Sequence, residues 1–397
     1  MQIKGVAAPA VASSRPASAG RGTTDAAEAG DSVRISKRTG CSCGDPCTCG
    51  ASLRGLGPSG CGCQGGCQCG VEAAARATRE GSHVTSATAA CSLVAGPGAG
   101  LVGVVSAAAP QPVDLTARLK AMLPPHPFVI SVEKVNELQQ ALGLDRAALL
   151  QALVPVAREY ARPPISNYQV GAAGLGKSGQ IYLGVNLEFG GNALNQTVHG
   201  EQFTVMNALR NGEERLEMLA VSAAPCGHCR QWLNEVTGGS DLLILTPNSP
   251  PTPLKELLPA SFGPGDLGVS AALLTPQSNP LRDTDAGAQV DGVASAARQA
   301  AEQSYAPYSH SPSGVAVQLR DGSIVSGRYA ENAAFNPSLS PLQGALVQMV
   351  AEGRRYDEIE RAVLVEKKGA PASQQAATRA LLESIQPAAR VEVHLAE

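Results

Sequence analysis

Residues 163–196 read PPISNYQVGAAGLGKSGQIYLGVNLEFGGNALNQ, and residues 306–339 read APYSHSPSGVAVQLRDGSIVSGRYAENAAFNPSL. Each opens on proline and serine, passes through a glycine-containing β-prone run and a turn, and ends a second run on a loop bearing Asn and Glu. In the first stretch, KSG between the two runs predicts a β-hairpin. Two such stretches in one chain predict a duplicated core. Upstream, LTARLKAML at 115–123 and VEKVNELQQALGLDRAALLQALVPVAREYA at 132–161 place Leu, Ala and Val at three- and four-residue spacings, the pattern of core-facing helices. Downstream, TVHGEQFTVMNALRNG at 197–212 is helical in period, with Thr197 as a candidate cap and Gly212 near the stop. A strand, LEMLAVSAA at 216–224, then leads into PCGHCRQWLNEV at 225–236, where Pro225 suits the first turn of a helix. The order β-β-α-β-α predicts an α/β fold with a mixed sheet and helices on its faces.

The chain has 397 residues, enough for more than one domain and a sizeable core. Its formal charge is −3 and its aromatic content 3%, so there is no overall basic field and few stacking side chains for a nucleic acid. The most apolar region, SLVAGPGAGLVGVVSAAAP at 92–110, is broken by Gly and Pro, which argues against a membrane span. Of the eleven cysteines, eight fall between Cys41 and Cys69, one is Cys91, and the last two are Cys226 and Cys229. Thiols this unevenly placed fit metal binding or catalysis in a reducing compartment better than a disulfide framework.

Taken alone, Cys226 and Cys229 in APCGHC are either a redox dithiol or half of a metal site. HGE decides between them: His199 stands 27 residues before Cys226 and Glu201 two residues after His199, which completes H-x-E…P-C-x-x-C, the zinc deaminase signature. Two Cys at i and i+3 on an opening helical turn share a face, and His199 adds a third ligand, so one zinc position is left for water. Glu201 is then placed to take that water's proton and pass protons to a leaving amine. His228, between the two Cys, would close the site as a fourth ligand and is read as a neighbour instead.

NYQVGAAG, GVNLEF, TVHGEQ, APCGHCRQWLNE, PYSHSPSGVAV and YAENAAFNPSLSPLQGAL together resemble the dimeric two-core cytidine deaminases of bacteria and plants. The resemblance runs from about Val113 to the C-terminus. It implies a three-layer α/β/α fold, present as a catalytic core at 113–272 and a degenerate, non-catalytic core at 285–397. A linker rich in Pro, Gly and Asp joins them at about residues 270–290. It also implies one catalytic Zn²⁺ per chain and a nucleoside pocket in a homodimer whose sites are shared between subunits. In that pocket Asn186 and Glu188 would hold the ribose 3′-hydroxyl and Tyr168 would lie against the pyrimidine. Phe262, Ala334 and Phe335 match segments that reach into the partner's site. Gly200 stands where the family usually has Ala; its carbonyl is expected to accept a hydrogen bond from the base, and its flexibility to slow turnover.

Residues 1–112 are rich in Ala, Gly, Ser and Pro and lack sustained periodicity, which predicts disorder. Lys4, Arg15 and Arg21 precede the first acidic residue, Asp25, as in an organelle transit peptide, so a plastid or mitochondrion is the alternative to the cytoplasm. CSCGDPCTCG and CGCQGGCQCG resemble metallothionein-like modules. In them Cys41, Cys43, Cys47, Cys49, Cys61, Cys63, Cys67 and Cys69 would wrap further Zn²⁺ or Cu⁺.

The expected activity is zinc-dependent hydrolysis of free cytidine and deoxycytidine to uridine and deoxyuridine, in pyrimidine salvage. The alternatives are a polynucleotide cytosine deaminase and a metal store with a vestigial deaminase core.

Overall fold

The structure is a computed structural model that describes residues 114–270, 272–282 and 291–397. The expected disorder, transit peptide and metallothionein-like cysteines of residues 1–112 lie outside the described residues. The chain opens with helix α1 (Leu115–Met122), capped by the Asp114 side chain, which accepts from the Thr116 N–H. The periodic stretch from residue 132 then forms two helices, α2 (Val132–Leu142) and α3 (Arg146–Arg158). Gly143 ends the first in the left-handed conformation, φ 67°, and Asp145 caps the second through the Ala148 N–H at 2.7 Å.

The first copy is built on β1 (Val129–Ile130), β2 (Gly171–Gly176), β3 (Ile181–Val185), β4 (Leu216–Val221), β5 (Leu243–Leu245) and β6 (Thr252–Pro253), in the spatial order β1-β3-β2-β4-β5-β6. The expected hairpin is β2–β3, antiparallel, with Gly171 opposite Val185. β4 runs antiparallel to β2 and β5 parallel to β4, so the sheet is mixed. Helices α4 (Gly200–Arg210), α5 (Gly227–Leu233) and α6 (Leu254–Leu257) complete the copy.

The second copy has α7 (Gly292–Glu302), β7 (Ser313–Leu319), β8 (Ile324–Arg328), α8 (Pro341–Ala351), β9 (Ile359–Lys367), α9 (Gln375–Ile385) and β10 (Arg390–Ala396). Its sheet has the order β10-β9-β7-β8, with β10 parallel to β9 and the other pairs antiparallel.

Glycine sets the spacing of the layers. A Cβ on Gly171 would overlap the Val154 carbonyl and Arg158 of α3, and one on Gly184 would overlap Thr204 and the Gly200 carbonyl of α4. The second copy repeats both contacts: Gly314 lies against Ala297 and Ala301 of α7, and Gly327 against Pro341 and Ala345 of α8. Helices therefore press on opposite faces of each hairpin, which makes the three layers. Isolated bridges repeat as well, Arg162 to Leu187 to Val198 in one copy and Tyr305 to Ala330 to Leu339 in the other.

One buried apolar cluster runs through both copies, from Leu153, Phe203 and Trp232 to Val315, Leu346 and Leu364. Side chains of this kind each contribute about 1.5–3 kcal/mol when fully buried, so the joint between the copies is core rather than contact surface. Among the described residues, no helix is long and apolar enough to cross a membrane.

Candidate metal centre

His199 and Cys226 both sit one residue before a helix, in extended backbone, His199 as the N-cap of α4 and Cys226 as the N-cap of α5. This shifts two sequence expectations. Thr197 is not the cap, since its hydroxyl donates to the Leu194 carbonyl, and Pro225 precedes the cap instead of occupying the first turn. A capping position serves the chemistry: the side chain leaves the helix axis and points over the first turn, where the amides are unpaired.

His199 Nδ1 faces both sulfurs, Cys226 Sγ at 3.6 Å and Cys229 Sγ at 3.2 Å. The three ligand atoms lie within 4.8 Å of one another, close enough to hold one metal ion. One imidazole and two thiolates are a donor set that zinc favours, and the cluster fits it. Hydrogen bonds with the Cys229 thiol and then the His199 ring bring the Cys226 thiol down to about 3, whereas Cys229 is pushed up by sharing with Cys226 and by burial. The hydrogen bond to Cys226 raises His199. A metal ion and protons compete for these three groups, so affinity should fall as the pH drops. His228 stands aside from the ligand atoms and packs its ring on His199, centroids 5.3 Å apart.

Glu201 is 4% exposed, one residue into α4, and burial raises its carboxyl above the usual range. It lines a cavity of about 300 Å³ together with His199, Cys226, Gly200, Asn186, Glu188 and Tyr168. Seven of the site residues expected from the first copy thus converge on one cavity, with Cys229 buried behind them at the metal cluster. The Asn186 amide braces its wall, accepting from the Val170 N–H at 2.8 Å and donating to the Tyr168 carbonyl at 2.9 Å. Glu188 accepts from Ser166 Oγ at 2.5 Å and from the amides of Ile165 and Ser166. Tyr168 is 57% exposed at the rim.

Gly200, the first residue of α4, lines the same cavity. Its carbonyl accepts from the Thr204 hydroxyl at 2.9 Å along the helix, and its N–H is one of the first-turn amides without an intrahelical partner. Phe262, Ala334 and Phe335 do not line this cavity. Phe262 and Phe335 are 45% and 67% exposed, and Ala334 is exposed beside Phe335.

Sequence reasoning missed Ser166, Val170 and Thr197 in the cavity wall. Ser166 could have been found, because Pro-x-Ser precedes the Asn/Glu loop in both copies. It also missed Glu235, fully buried just past α5, whose carboxylate accepts from the hydroxyls of Tyr305 and Tyr308 and from the Ala333 N–H. Beside it Gln231 and Asn332 exchange hydrogen bonds, Asn332 Nδ2 donating to the Gln231 carbonyl at 3.0 Å. The second copy thereby holds the far end of the helix that carries Cys229.

Residues 145–243 and residues 254–379 each match a family profile described as the cytidine and deoxycytidylate deaminase zinc-binding region. Among solved structures, the cytidine deaminase of Mycobacterium tuberculosis is 35% identical over 99% of its length and 30% of this chain, with a TM-score of 0.28. That of Mycobacterium leprae is 30% identical over 99% of its length and 29% of this chain, with a TM-score of 0.27. The cytidine deaminase of Burkholderia pseudomallei is 28% identical over 100% of its length and 30% of this chain, with a TM-score of 0.27.

Proposed function

The chain belongs to the cytidine and deoxycytidylate deaminase family, a family of hydrolases, and on that premise we propose that it converts free cytidine and deoxycytidine to uridine and deoxyuridine in nucleoside salvage. Water is consumed and ammonia released. The observation that carries the reading is the buried Glu201 carboxyl in one cavity with His199 and Cys226, two members of the His199, Cys226 and Cys229 cluster. In this reading His199, Cys226 and Cys229 hold one zinc ion, which when bound supplies Lewis acidity to a water molecule. Glu201 takes the proton from that water and delivers protons to the ring and the leaving amine, a role that a carboxyl raised toward neutrality by burial suits.

The rest of the cavity selects a nucleoside. Asn186 and Glu188 face the ribose 3′-hydroxyl, one amide and one carboxylate able to give and accept there. Tyr168 flanks the pyrimidine, and the Gly200 N–H, an unpaired first-turn donor, faces the 2-carbonyl of the base. Residues 113–272 form the catalytic core. Residues 285–397 form a non-catalytic one, which is supported by Ser340 and Leu342 standing where the first copy has His199 and Glu201. The exposed rings of Phe262 and Phe335, with Ala334 beside the latter, are read as the surface that meets a second chain and reaches its site.

The test is turnover of purified protein on free cytidine, with zinc measured per chain. Cytidine consumed at a saturable rate with one tightly held zinc supports the reading. Editing of single-stranded DNA while free nucleosides are ignored would overturn it.

A further inference from the structure

Away from the metal centre, a cavity of about 140 Å³ lies at the seam between the copies, lined by α4, α7, β8 and α8. Two guanidinium groups share it. Arg210 of α4 has a carboxylate partner, Glu352 at 2.8 Å. Arg328, at the end of β8, is half-buried, and its side chain makes no hydrogen bond or ion pair with any described residue. The nearby acids are committed or remote: Glu352 also accepts from Gln348 at 2.9 Å, and Glu213 accepts from Ser178 and Tyr182. Glu214 lines the adjoining cavity but is exposed. The rest of the wall mixes the polar Gln299, Gln303, Gln348 and Ser326 with the apolar Met206 and Val347.

The first copy shows what this place holds when it is built to be inert. Gly184 matches Gly327, so Val185 matches Arg328; α3 and α7 meet their glycines at Val154 and Ala297, so Val156 and Tyr160 match Gln299 and Gln303. There the space is apolar. Val185 is fully buried, and Phe128 packs its ring on Tyr160 at 5.4 Å and on Phe203 at 5.2 Å. The second copy replaces that plug with a cation and two amides, which is costly for a half-buried charge facing a second one of the same sign unless an anion joins them. Guanidinium groups meet oxyanions in bidentate geometry, and the volume is about that of four or five waters at roughly 30 Å³ each, suited to one tetrahedral group.

We propose that Arg328 and Arg210, with Gln299 and Gln303, form a binding site for a phosphate group, carried by free orthophosphate or by the terminal phosphate of a nucleotide. The proposal does not depend on the deaminase reading. It is tested by thermal unfolding of the full chain in sodium phosphate against sodium chloride of equal ionic strength and pH, with ADP as the nucleotide probe because it has no cytosine for the catalytic pocket. A saturable rise of about 3 °C near ten times the dissociation constant is expected for the native chain, and no saturable rise for Arg328→Gln. Gln303→Glu supplies a built-in counter-ion. It should melt higher than the native chain without phosphate and no longer respond to it. Saturation by ADP at lower concentration than by orthophosphate identifies a nucleotide as the ligand, and equal or better binding of orthophosphate identifies the free ion. A native chain that does not respond, or a response that persists in Arg328→Gln and Gln303→Glu, would overturn the proposal.

Discussion

The starts of α4 and α8 occupy equivalent places and share a device. In each, the residue at the third helical position, Gln202 or Gln343, reaches back to the amide of the capping residue, His199 or Ser340. Each of those glutamines also crosses to the other copy, Gln202 Nε2 donating to the Pro337 carbonyl at 3.2 Å and Gln343 Nε2 to the Gln196 carbonyl at 2.7 Å. The two starts differ in what stands around that frame. The first copy has His199, Gly200 and Glu201; the second has Ser340, Pro341 and Leu342. Ser340 accepts from the Gln343 N–H and Pro341 has φ preset for a helix, so the second start carries local helix-stabilising features where the first places His199 and Glu201 at the cavity. The shape of a site and its reactivity can therefore be inherited separately.

The strongest way to break this contrast is at Glu201. Glu201→Ala should lower kcat for cytidine by about 10³-fold with zinc per chain unchanged, measured by ammonia release and metal analysis. The matching change, Leu342→Ala, should leave kcat alone and cost about 2–4 kcal/mol of stability as a core cavity. Next comes the joint between the copies. Glu235→Ala strands the Tyr305 and Tyr308 hydroxyls and the Ala333 amide, and should cost about 2–4 kcal/mol in denaturant unfolding.

The paired glutamines sharpen the comparison further. Gln202→Ala and Gln343→Ala should each cost about 1 kcal/mol, but only the former should reduce turnover, because only its helix carries the reacting carboxyl. Equal losses of turnover would mean that the second copy takes part in the chemistry. The smallest effect is expected at Gly200→Ala. Its new methyl would meet Val170 Cγ1 at 3.1 Å, so a helix-propensity gain of about 0.5 kcal/mol is largely offset, and kcat should change by less than about twofold.

The elements that were legible from sequence are those with local causes. Hairpin β2–β3 follows from two β-prone runs and the turn between them, and the ligand set follows from the spacing of His199, Glu201, Cys226 and Cys229. The duplication was legible too, because the glycines that seat α3, α4, α7 and α8 recur in both copies. What local pattern does not encode is partnership across long separations. Glu235 reads as one more polar residue in a helix until Tyr305 and Tyr308 arrive 70 and 73 residues later. The bond from the Thr204 hydroxyl to the Gly200 carbonyl is likewise a tertiary detail that no spacing announces. Phe262 and Phe335 are exposed and do not line the cavity that holds the metal cluster, so the geometry of that cavity does not report on them.

The crossing glutamines have one further consequence. Each donates to a peptide oxygen, of Pro337 or of Gln196, and a peptide oxygen is supplied by any amino acid whatever its side chain. Side chains in the receiving loops can thus be exchanged without removing these two bonds across the seam. The joint asks nothing of the letters at those two positions, only that the backbone stay in place.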